Sequence, residues 1–165
     1  MLVDGGFIRL PNRENHNCFG CSPTNDAGLR LQFYTDGRTV VTKVNVPGHL
    51  CGWENLVHGG VISTILDEVM GWSMLHILKK FTLTKSITVE FLKPVYIETE
   101  LRAEARILEV KNDREALAEG LLFNENGVLC ARSSGSFALF TSKAIQRLGI
   151  MNADTIECMR RIIEG

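Results

Sequence analysis

The sequence carries no excess of basic residues: 18 Lys and Arg stand against 19 Asp and Glu, for a formal net charge of −1. Charges of both signs are mixed along the chain, so the basic stripe that nucleic acid or an anionic membrane surface requires is missing. No run approaches the ~18 consecutive apolar residues of a membrane-spanning helix. The opening stretch MLVDGGFIRLPNRENHN has no apolar core of the signal-peptide kind. Five cysteines are an odd count, and 45% hydrophobic residues in 165 positions suffice for a core without covalent staples. A disulfide scaffold is therefore not expected, and a reducing, cytoplasmic setting is. Internal repeats, low-complexity runs and interdomain linkers are absent as well.

What is present is organised around residues 57–71, VHGGVISTILDEVMG. The pattern predicts a helix that opens at His58-Gly59-Gly60 and runs to about residue 78. On a 3.6-residue period Gly60, Ser63, Thr64, Asp67 and Gly71 share one face, while Ile62, Leu66, Val69 and Ile77 share another. One face is thus stripped of bulk except for a single carboxylate. The helix start offers free backbone N–H groups with a partial positive charge, and two glycines let a ligand come close. Such a terminus suits a phosphate, a carboxylate or the oxygen of a polarised carbonyl. Glu68 lies about 100° round from Asp67 and is expected to be a structural partner for a cation or a backbone group.

Strands are predicted over residues 7–10, 29–34 and 39–46, the last two joined by the Asp36-Gly37 turn. After the helix, residues 82–91 are rich in β-branched types, with Pro94 at a strand edge or bend. Residues 98–110, 115–124 and 128–140 read as a meander turned at Asn112-Asp113 and Asn126-Gly127. The tail holds two short amphipathic helical runs, the second with Ile156, Met159, Ile162 and Ile163 on one side. Helices do not alternate with strands, which excludes a parallel α/β fold. The class is α+β: one curved antiparallel sheet wrapped around one long central helix.

The HGG run, an Asp nine residues after His58, a β-branched strand ending in Lys93-Pro94 and the upstream CFGCSPTNDAGLRLQF together resemble the hotdog-fold acyl-CoA thioesterases. The closest likeness is to the 4-hydroxybenzoyl-CoA and phenylacetate-pathway (PaaI-like) type, over residues 18–140. The resemblance implies a hotdog domain over residues 1–140, its N-terminal segment included, and a helical tail over 141–165. It implies hydrolysis of an acyl- or aroyl-CoA to free acid and coenzyme A, with no metal or bound cofactor, in a homodimer or dimer of dimers. The family's catalytic acid falls on Asp67, its oxyanion amide on Gly59 and its motif histidine on His58. A Thr that assists the acid falls on Thr84, ten residues before Pro94. Gly60, Asn55, Ser63 and Lys85 are the expected substrate-binding residues. Lys79, Lys80 and Lys93 are further candidates for the coenzyme A phosphates, and Val61, Trp53, Ile65, Met70 and Met74 suggest an apolar acyl pocket. One position departs from the pattern: Gly52 stands where several members have Gln or Asn, so either Asn55 or His58 takes over carbonyl binding or activity is weak. A non-catalytic acyl-CoA sensor is the alternative. A hotdog hydratase ranks behind it, because the Pro-rich helix approach of that branch is missing.

Spacing adds an expectation about assembly. Gly60 and Asp67 are seven residues apart, about 10 Å along a helix, whereas a base must lie within about 3 Å of the water it activates. Two antiparallel copies can set the helix start of one beside the acid of the other, which predicts a composite site at a two-fold interface. Cys18-x-x-Cys21 admits three readings: packing, half a zinc site with His16 near by, or a redox pair. No second C-x-x-C or H-x-x-x-H is present, and a turn and strand follow instead of a helix. Cys51, Cys130 and Cys158 read as small apolar residues or incidental thiols, and Trp53 and Trp72 as core or interface anchors.

Overall fold

The computed structural model describes residues 2–3 and 6–164. Its strands are β1 (Leu2–Val3), β2 (Phe7–Arg9), β3 (Phe33–Thr35) and β4 (Thr39–Asn45), then β5 (Phe81–Phe91), β6 (Glu100–Asn112), β7 (Glu115–Phe123) and β8 (Leu129–Phe140). They form one sheet in the order β1-β2-β3-β4-β6-β7-β8-β5, antiparallel throughout. Helix α1 (Gly59–Ile77) lies across it against β4 to β8. The fold is an antiparallel sheet around a central helix, as the sequence pattern predicts.

The inner face of the sheet has small residues at its centre: Ala103 and Ala105 on β6, Ala116, Ala118 and Gly120 on β7, Ala131 and Gly135 on β8. This lets the helix sit close. A Cβ on Gly120 would fall 3.3 Å from both Leu66 and Met70, and one on Gly135 would fall 3.2 Å from Met70. Ile65, Leu66, Val69, Met70 and Met74 of α1 are fully buried in consequence. Trp72 is buried as well, its ring stacked 4.7 Å from Phe33 and 5.4 Å from His76.

The structure departs from the predicted strands at one informative place. The alternation of residues 29–34 suggests a strand, yet β3 begins only at Phe33. Arg30 sits in the left-handed region at φ 51. The N–H groups of Leu29 and Leu31 donate to the carbonyls of Phe19 and Gly20, at 2.9 and 3.0 Å, instead of to a neighbouring strand. The Cys18-Phe19-Gly20-Cys21 turn thus takes the backbone partners that a longer β3 would have used. Pro94 lies in the bend after β5, as its missing N–H favours.

Beyond the sheet, α2 (Ser142–Arg147) is capped by Thr141, whose Oγ1 accepts the Ala144 N–H at 3.2 Å. With α3 (Ala153–Glu164) it buries Ile145, Ile156 and Ile163 against Phe81, forming a second small core that also touches Leu75 of α1. No helix among the described residues is long and apolar enough to cross a membrane.

Candidate active site

Helix α1 starts at Gly59 because His58 caps it. The His58 Nδ1 accepts the Gly60 N–H at 2.9 Å, and its carbonyl accepts the Val61 and Ile62 N–H groups. Gly60 therefore spends its amide inside the protein, and the Gly59 N–H is the donor left without an acceptor among the described residues. The Phe91 ring lies over Gly59, where a Cβ would meet it at 3.5 Å. The Ser63 and Thr64 hydroxyls donate to the Gly59 and Gly60 carbonyls, each at 2.9 Å, which ties the first turn together. Asn55 is exposed, and its carbonyl accepts the Ile97 N–H at 3.0 Å. Gly52 packs so close that a Cβ would come within 3.2 Å of the His58 Cα, leaving no room for the longer side chain of the family pattern without a shift.

Two turns along the helix, Asp67 is half-buried, and its Oδ1 accepts a hydrogen bond of 2.8 Å from the Thr84 hydroxyl of β5. Burial pushes the Asp67 carboxyl above its ordinary range, and the Thr84 bond draws it part of the way back. A register shift in β5 between Thr84 and Ser86 sets the Thr84 side chain where it reaches the helix. Lys85 is turned the other way. It pairs with Glu115, which also binds Lys111, and Glu115 projects from the side of β7 opposite the buried Ala116 and Ala118. Lys85 is thus not gathered with Asp67. Trp53, expected as a core or interface anchor, is 81% exposed and belongs to no core.

A cleft of about 270 Å³ holds Asp67 and Thr84 together with Asn12, Arg13, Cys18 and Glu68. Trp72 forms part of its wall, and Met151 and Met159 reach it from the tail. Sequence reasoning missed the tail's share: an apolar face on α3 signals burial but not against what. A larger groove of about 980 Å³, lined by Lys80, Arg114 and Arg147, contains one predicted coenzyme A contact, Lys80, but neither Asp67 nor Thr84. The Asp67 carboxylate and its hydroxyl partner lie in the smaller cleft.

Beside Asp67, the Glu68 carboxyl is pushed up to about 7, by burial first and then by the neighbouring Cys18. Cys18 is held down to about 5, chiefly by the hydrogen bond from Cys21, whose own thiol that bond and burial push up. The Sγ atoms of the two cysteines are 3.4 Å apart, and Cys18 Sγ lies 3.6 Å from Glu68 Oε1.

Several solved structures share this architecture. One is a thioesterase-superfamily protein, at TM-score 0.64 and 23% identity over 70% of this chain and 57% of that one. Another is the Escherichia coli PaaI protein from the phenylacetic acid degradation operon, at TM-score 0.61 and 16% identity over 68% and 81%. A third is a hypothetical thioesterase from Streptococcus pneumoniae, solved with coenzyme A, at TM-score 0.58 and 16% identity over 62% and 81%. Residues 54–131, from just before the helix into β8, match the thioesterase superfamily. The chain has the hotdog fold, and just under half of it matches the thioesterase superfamily. An uncharacterized protein of Schizosaccharomyces pombe is 29% identical over 106 residues. That match spans 61% of the chain and 60% of the yeast protein.

Proposed function

We propose that the protein is an acyl-CoA thioesterase, which hydrolyses an acyl- or aroyl-CoA to the free acid and coenzyme A. The observation that carries this reading is the half-buried Asp67 held by Thr84, on the same helix whose N-terminal Gly59 amide has no acceptor among the described residues. In the reaction, the thioester carbonyl accepts the Gly59 N–H, and the helix dipole stabilises the charge that develops on its oxygen. Gly59 and Asp67 are eight residues apart, about 12 Å along one helix axis. The acid at each carbonyl is therefore Asp67 of the partner subunit. Asp67 either takes a proton from the attacking water or adds to the carbonyl to form a mixed anhydride that water then opens. In both routes the C–S bond breaks and the sulfur leaves as thiolate, which is protonated to free coenzyme A.

Three further points support the reading. The pneumococcal neighbour was solved with coenzyme A, and also as variants in which an Asp and a Thr are replaced by Ala. Those are the residue types of the Asp67–Thr84 pair. At the sheet edge, β5 has a free side, and Phe91 and Tyr96 are exposed near the helix start, as a dimer face would require. All five cysteines are free, which suits a reducing cytoplasm.

Gly52 favours a second reading. Without a side chain there, the carbonyl lacks one polar contact, and a sensor that binds acyl-CoA without turnover would tolerate that loss. A panel of acyl- and aroyl-CoA thioesters, followed by thiol release, separates the two. Turnover of at least one member by the purified protein is expected. Saturable binding across the panel with no release of coenzyme A would establish the sensor instead.

A further inference from the structure

Cys18, Cys21 and Glu68 converge from segments fifty residues apart, and the thioester chemistry uses none of them. One donor atom from each lies within 4.8 Å of the other two. Ligands about 2.3 Å from a tetrahedral zinc ion are separated by edges of about 3.8 Å. The Sγ–Sγ distance of 3.4 Å and the Sγ–Oε1 distance of 3.6 Å are close to such edges. The Glu68 Oε2 is buried with no hydrogen-bond partner, and Glu68 forms no ion pair with a Lys or Arg among the described residues. Once ionised, a buried carboxylate in that state is stabilised by a bound cation. The turn between the cysteines lies directly over it: a Cβ on Gly20 would fall 2.4 Å from Glu68 Cδ, so a larger residue there would displace the Glu68 side chain.

We propose that Cys18, Cys21 and Glu68 bind a zinc ion that pins the N-terminal segment to the central helix beside Asp67. Two thiolates and a carboxylate form a donor set suited to zinc. His16 lines the same cleft, but its Nδ1 accepts the Cys18 N–H, so its buried Nε2 bears the proton and is not a fourth ligand. Water fills the fourth position. Binding releases the thiol protons, leaves the three groups as ligands of one cation, and fixes the register of the Cys18–Cys21 turn against α1.

The test is metal analysis of the purified full chain, followed by titration of the demetallated, reduced protein with Zn²⁺ and Co²⁺. About one ion per chain is expected, with thiolate-to-cobalt charge-transfer absorption and a rise in thermal midpoint on adding zinc. The pair C18S and C21S should lose the ion, and Glu68→Gln, which keeps the shape, should weaken binding at least about tenfold. Circular dichroism confirms that each variant is folded. A reduced, folded wild-type chain that takes up neither metal would overturn the proposal. So would uptake unchanged by C18S and C21S, or cobalt spectra without the thiolate band. Thioester turnover is read separately, since metal uptake does not depend on it.

Discussion

Thr84 holds Asp67 by one hydrogen bond of 2.8 Å, and Thr84→Val removes that donor while keeping the β-branched shape. A hydrogen bond to a charged group contributes about 1.5–3 kcal/mol, so kcat should fall by about 10- to 100-fold with KM little changed. A variant with wild-type kcat would show that the pair is only structural. His76 gives a second test at this scale. Burial, and then the nearby Lys79, hold its imidazole down to about 4, with its ring stacked on Trp72. The neutral ring is the folded form, so its stabilising effect is complete above the ordinary histidine range, about 6.5. It is lost as pH falls toward 4. Urea midpoints at pH 7 and pH 5 should therefore diverge more for wild type than for His76→Phe, and equal losses would clear His76 of the effect. Asp67 was legible in the sequence, because a helix face of Gly60, Ser63, Thr64 and Gly71 isolates the one carboxylate; Thr84 was placed only by the family resemblance. Glu68 was not legible, because a helical period says only that it points away from Asp67. Its contact with Cys18 and Cys21 crosses fifty residues of chain.

Helix and strand positions were mostly readable because α1 and the meander each repeat their own period. The start of β3 was not, since the alternation in LRLQFY conceals that Arg30 takes a left-handed conformation. The tail shows the other limit. Its apolar side was visible, with Ile156 and Ile163 in phase, yet nothing in its pattern names Phe81 and Leu75 as what it covers. That packing carries a measurable share of stability. Ile163 is buried in the second core, so Ile163→Ala should cost about 2–5 kcal/mol in denaturant unfolding. A loss below about 0.5 kcal/mol, the scale of ordinary surface changes, would mean that α3 does not hold to the sheet in solution.

For the whole molecule, the proposed mechanism turns on length along one helix: the Gly59 amide and the Asp67 carboxylate, about 12 Å apart along the axis, reach one carbonyl only awkwardly within one protomer. Asp67→Asn should abolish thioester hydrolysis. Gly59→Pro should do so too, by deleting the donor at a helix position where proline fits, after a His58 already extended at ψ 136. Co-expression of the two variants with different tags gives a mixed dimer that can be isolated by sequential affinity steps. With sites shared across the two-fold axis, one of its two sites carries both defects and the other carries neither, so about half of wild-type activity should return. Activity no higher in the mixed dimer than in either parent would contradict the shared site.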